Sequence, residues 1–149
     1  METYENGGHA YHGTLPTDAL VRLRDTMKET ETVGFANVRA MQQELGNKVR
    51  GLLAKYGYRS VAAEGFEAPG VVVSYTDDPD IHSGKKFLAL GLQVAAGVPL
   101  QCDEPAGFRT FRIGLFGLDK LRNVERTVAN LDAALTRIRQ EATPSSQAA

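Results

Sequence analysis

The chain has 149 residues, 42% of them apolar, enough to pack one core of ordinary domain size and too few for two full domains. Seventeen basic and eighteen acidic side chains leave a formal charge of −1, which argues against binding nucleic acid or an anionic membrane through a global field. A single cysteine, no membrane-length apolar run and an N-terminus without a signal-peptide pattern predict a reducing, cytoplasmic setting with neither a disulfide framework nor a structural zinc site.

Residues 1–16 read as loop or extended chain, because METYENGGHAYHGT carries paired glycines and no sustained periodicity. Pro16, Thr17 and Asp18 then offer a helix start with Thr17 as the capping hydroxyl, and Leu20, Leu23 and Met27 form one stripe of a helix over about 17–29. Thr30 to Gly34 interrupts that pattern. Phe35, Val38, Met41, Leu45, Val49, Leu52 and Tyr56 recur every three or four residues and predict the longest helix, closed at Gly57 by a left-handed cap. Gly46 and Gly51 inside it weaken a helix, so close packing or a bend is expected to compensate.

Tyr58–Ala62 and Val71–Tyr75 suit strands, and the second is apolar on both faces. Asp77 to Asp80 stops it, and 83–93 reads as a third helix. A short edge strand within 94–102 is broken at Pro99, and Phe111–Phe116 alternates as a further strand. Asn123 is expected to cap a final helix carrying Val124, Val128, Leu131, Leu135 and Ile138, and the tail 142–149 has little to bury. The element order implies an α+β, two-layer fold: a small, mainly antiparallel sheet with helices on one face, preceded by a long helix. In domain terms, 1–16 is an extended segment, 17–57 is helical and 58–141 is a small sheet domain. The second face of Val71–Val73 calls for another layer, from a further chain or a second copy.

Few residues suggest chemistry. His9 and His12 lack a third ligand nearby, His82 follows an acidic turn without calcium-loop spacing, and Cys102 reads as inert beside Asp103 and Glu104. No metal site is expected. Gly7, Gly8, Gly13 and Thr14 could present donors to a phosphate, but without the spacing of a P-loop or a dinucleotide fold. Arg112 is more informative. A guanidinium amid FRIGLFG is costly unless it meets an anion, either an internal carboxylate or a ligand's.

FRIGLFGLDKLRNVERTVANLDAAL, taken with AYHGTLP and the long helix between them, resembles the C-terminal part of class V aminotransferases of the alanine/serine–glyoxylate type, fold-type I enzymes dependent on pyridoxal phosphate. The resemblance runs from about residue 8 to 139. It implies that Arg112 grips the substrate α-carboxylate and that Tyr11 and Thr14 contact the cofactor phosphate across a dimer interface. It also implies partners: a second copy or a large-domain chain, and an amino acid and 2-oxo acid as substrates. The family's Schiff-base lysine and the large domain that holds the cofactor have no counterpart here, since Lys28, Lys48, Lys55, Lys85, Lys86 and Lys120 all lie in unlike contexts. Such a chain is expected to be inactive alone and to hold no pyridoxal phosphate tightly, because amino transfer needs an amine to carry the cofactor and shuttle a proton. The competing expectation is a non-catalytic module that self-associates through the long helix and the uncovered faces.

Overall fold

The computed structural model describes residues 2–8 and 14–142. Contacts divide the chain into two compact units, one over residues 1–34 and one beginning at Phe35.

The first unit holds α1 (Glu2–Glu5) and α2 (Thr17–Val33). Helix α2 runs four residues beyond the expected end. The hydroxyls of Thr30 and Thr32 donate to the carbonyls of Thr26 and Lys28 one turn back, so these residues satisfy themselves within the helix. The break falls instead at Gly34, whose φ of 90° no β-carbon tolerates well. Thr17 is the first helical residue rather than the cap; Pro16 holds the cap position and makes no side-chain hydrogen bond there. Helix α2 buries none of its residues.

In the second unit, α3 (Phe35–Lys55) packs against β1 (Val71–Tyr75) and the final helix, α7 (Val124–Ala142). Its C-terminus follows the sequence closely. Gly57, at φ 88°, donates to Ala54 O, and Tyr58 N–H reaches Leu53 O at 2.9 Å, the paired bonds of a Schellman cap. The Tyr56 hydroxyl then lies 2.7 Å from Asp132 Oδ1, tying α3 to α7. Gly46 is explained by close approach: a β-carbon there would stand 2.8 Å from Pro69 O and 3.0 Å from Pro69 Cα, just before β1.

The chain between β1 and the last strand departs from expectation. A single 83–93 helix is replaced by α4 (Pro79–His82) and α5 (Lys85–Ala89), because Asp78 caps a new helix by accepting from Asp80 and Ile81 N–H and Gly84 turns into the left-handed region at φ 81°. Burial raises the Asp78 pKa, but the Lys86 ammonium at 2.5 Å and those two N–H groups outweigh it, so the carboxyl titrates below its ordinary value. The 94–102 strand shrinks to β2 (Ala95–Ala96), and β3 occupies Thr110–Gly114 instead of 111–116. Residues 58–62 contribute one bridge, Ser60 to Ser74, flanked by Val61 N–H to Val73 O and Tyr75 N–H to Arg59 O. A short α6 (Leu118–Arg122) precedes α7. Asn123 does not cap α7 in the expected manner: its amide donates back to Asp119 O at 2.8 Å.

The sheet is antiparallel throughout, in the order β1-β3-β2. Val72, Phe111 and Ile113 face Leu45, Val49 and Leu53 of α3 and Leu131, Leu135 and Ile138 of α7, with Phe87 and Ile81 closing one side. Phe111 lies at the centre, edge-on to Tyr58 at 5.2 Å and tilted against Phe87 at 5.6 Å. The result is the expected α+β arrangement with helices on one face of a small antiparallel sheet.

Candidate functional site around Arg112

Alternation along β3 decides where Arg112 goes. Phe111 and Ile113 enter the core at 0% and 8% exposure, so Arg112 between them takes the opposite face. It is the middle residue of the central strand. Val73 stands opposite it on β1 and Ala95 on β2. The same face carries half-buried Val71, Val73 and Tyr75. Farther out, the Arg59 guanidinium covers the Tyr75 ring at 4.6 Å and Phe108 meets that ring edge-on at 5.7 Å.

Arg112 Nε donates to Ala96 O at 2.9 Å. No ion pair among the described residues involves Arg112, which distinguishes it from Arg24 and Arg126, each held by an aspartate. The carbonyl that fixes the guanidinium is itself fixed. Gly97 comes so near β3 that a β-carbon would sit 2.0 Å from Thr110 O, and its N–H donates to His82 O. His82 Nδ1 lies 2.7 Å from Thr110 O; the partner is a carbonyl, so Nδ1 carries the proton. His82 is thus a structural donor. The neighbouring acidic turn is likewise committed, with Asp78 on α4 and Lys86. Among the described residues no group of three His, Cys, Asp or Glu side chains could hold a metal ion, and no helix is long and apolar enough to cross a membrane.

A held guanidinium with terminal N–H groups to spare, over a floor of valine and tyrosine, is suited to gripping a carboxylate in two-point geometry. The low-polarity floor strengthens such a contact. Ala96 and Gly97 were invisible as site components in the sequence; a glycine closing the run AAG was the only hint of close backbone approach.

The remaining expected residues lie outside the second unit or outside the described residues. Tyr11, His9 and His12 lie outside the described residues, and Thr14 is exposed ahead of α2, in the first unit. Most of the lysines have partners of their own. Lys48 pairs with Glu44 and Glu125, Lys85 with Asp80 and Lys86 with Asp78. Lys120 donates to Phe116 O, Lys55 stands 5.9 Å from the Tyr56 ring, and Lys28 is exposed on α2. A cofactor aldehyde needs a lysine free to act as a nucleophile inside a cavity, and a phosphate needs a cradle of donors. Among the described residues, Lys48, Lys85 and Lys86 are held in ion pairs, which keeps those three ammonium groups from serving as such a nucleophile.

No family model matches the sequence, and no curated protein matches it. Solved structures do. Alanine–glyoxylate aminotransferase from Nostoc sp. superposes with a TM-score of 0.62 at 19% identity, over 85% of this chain and 33% of that one. Serine palmitoyltransferase from Sphingomonas wittichii gives 0.50 at 19% identity, over 66% of this chain and 24% of that one. Both are fold-type I pyridoxal-phosphate enzymes, and the region covered in the aminotransferase is its C-terminal part. The chain spans 33% of the length of that aminotransferase and has the fold of the C-terminal part of fold-type I pyridoxal-phosphate enzymes.

Proposed function

We propose that these residues form the substrate-gripping C-terminal portion of a class V, pyridoxal-phosphate-dependent aminotransferase, with Arg112 as the clamp for the substrate α-carboxylate. The observation that carries this reading is an arginine at the middle of the central strand, held by a backbone carbonyl and paired with no acid among the described residues, in a fold shared with an aminotransferase. An alanine- or serine-like amino acid and a glyoxylate- or pyruvate-like 2-oxo acid share one feature, the carboxylate next to the reacting carbon. One guanidinium therefore serves both halves of an amino-transfer cycle: it neutralises the carboxylate and fixes the orientation of the adjacent carbon.

The cofactor, its lysine and the remaining phosphate contacts would come from polypeptide outside these residues, with Tyr11 and Thr14 adding phosphate contacts from this chain. On its own the chain is then inactive. The test is co-expression with a large-domain chain of a fold-type I aminotransferase, measuring amino transfer from alanine or serine to glyoxylate or pyruvate. Activity should appear only with both chains, and Arg112→Ala should lower kcat/KM about 30-fold or more for amino acid and oxo acid alike. Failure of the mixed chains to react, or an Arg112→Ala complex as active as its parent, overturns the proposal.

A second reading, self-association without catalysis, is favoured by α2, whose Leu20, Leu23 and Met27 are 49%, 57% and 62% exposed on one stripe. Light scattering decides: a monomer at all concentrations rules this out.

A further inference from the structure

On the helix-covered side of the sheet, away from Arg112, the second unit contains a hollow of about 250 Å³ between α3, α7, the end of β3 and the segment at 92–94. Its floor is apolar: Val49, Leu131, Ile113, Leu115 and Leu92. Protein interiors leave few voids larger than a water molecule, and an apolar hollow is a poor host for water. A cavity of about 150 Å³ lined by such side chains accommodates benzene, so this one has room for a body of about six to ten carbons.

The rim is polar and asymmetric in charge. Lys120 commits one of its three donors to Phe116 O at 2.9 Å, which leaves two. Arg126 shares its charge with Asp119 at 2.6 Å and has further N–H groups to spare. The amides of Gln93 and Asn130 stand beside them with no partner among the described residues. Two cations against one anion make the mouth net positive and rich in donors, above a floor that accepts only hydrocarbon. Such a site matches a molecule with a short aliphatic body and an anionic head.

We infer that this hollow binds medium-chain aliphatic carboxylates, with the chain on the Val49–Leu131 floor and the carboxylate at Lys120 and Arg126. The site is separate from Arg112 and stands whether or not the chain serves an aminotransferase.

The test is titration of the protein with hexanoate, octanoate, 1-hexanol and octylammonium, followed by calorimetry and by amide NMR shifts. Octanoate should bind one to one with shifts centred on Gln93, Thr127 and Asn130. It should bind about 15-fold more tightly than hexanoate, about fourfold for each added methylene. Hexanoate should exceed hexanol, and octylammonium should bind worst. Lys120→Gln combined with Arg126→Gln changes only exposed side chains and should weaken the carboxylates about tenfold while leaving hexanol unchanged. Thr127→Phe at the wall should abolish binding of both. Hexanol equal to hexanoate, affinity indifferent to chain length, or shifts that do not saturate or lie elsewhere would each overturn the inference, and the charge variants decide even if Thr127→Phe does not fold.

Discussion

Gly46 and Gly51 lie five residues apart in α3, and the structure assigns opposite signs to the same substitution. At Gly51 an added β-carbon meets nothing within 4 Å and the residue is exposed, so Gly51→Ala should stabilise by the ordinary helix-interior difference, about 0.5–1 kcal/mol. Gly46→Ala gains the same propensity but drives a methyl group to 2.8 Å from Pro69 O and 3.0 Å from Pro69 Cα. These are backbone atoms and cannot rotate away. The same carbonyl accepts from Gln42 Nε2 at 3.0 Å, so displacing it also strains that bond. With overpacking at about 1–3 kcal/mol, the net effect is a loss of about 0–2 kcal/mol. The two variants should therefore differ by about 1–3 kcal/mol, or roughly 4–12 °C in Tm for a chain of this size. Parallel thermal and urea unfolding followed by circular dichroism measures this directly. A Gly46→Ala protein as stable as Gly51→Ala would refute the close approach of α3 to the residue pair leading into β1.

The remaining expectations concern the site and its supports. Arg112→Ala should cost the isolated protein less than about 1 kcal/mol in urea unfolding, because the side chain is half-exposed and gives up one hydrogen bond; a larger loss would mark it as a structural residue. Gly97→Ala should cost about 2–3 kcal/mol and shift the Arg112 side-chain resonances, since its methyl group would collide with Thr110 O and push β2 off β3. Glu104 accepts from the N–H groups of Cys102, Gln101 and Leu100, which holds its carboxyl at a pKa of about 2 against an ordinary 4.5. A depressed acid supports the fold above its unfolded pKa and loses that support as pH falls toward the folded value. The 100–104 loop should thus keep its amide chemical shifts at pH 4.5 and lose them toward pH 2; a carboxyl carbon titrating near 4.5 by NMR would contradict this geometry.

How much could be known beforehand varies by element. Helix α7 and the Gly57 cap were legible because their determinants are local: a stripe at three- and four-residue spacing, and a glycine where the chain needs positive φ. The place of Arg112 on a strand was legible because Phe111 to Phe116 alternates bulky apolar residues with Arg112 and Gly114. The division of 83–93 was not, since it depends on Asp78 capping a helix from outside the window and on Gly84 turning the chain between two segments. Nor was the extent of α2, because threonines that usually favour turns here bond to their own helix. The partner of Arg112 was least visible of all. Ala96 contributes a carbonyl, a group every residue has, and only the pairing of β2 with β3 places it beside Nε.

The margins of the sheet decide how much bare backbone the described residues present. On one side β1 is lined by the 59–61 segment, and on the other β2 offers only two residues before Val98 and Pro99. A newcomer strand finds little ladder to extend, and the proline withholds a donor where growth would continue. Among the described residues, the geometry of these margins disfavours growth by backbone zippering.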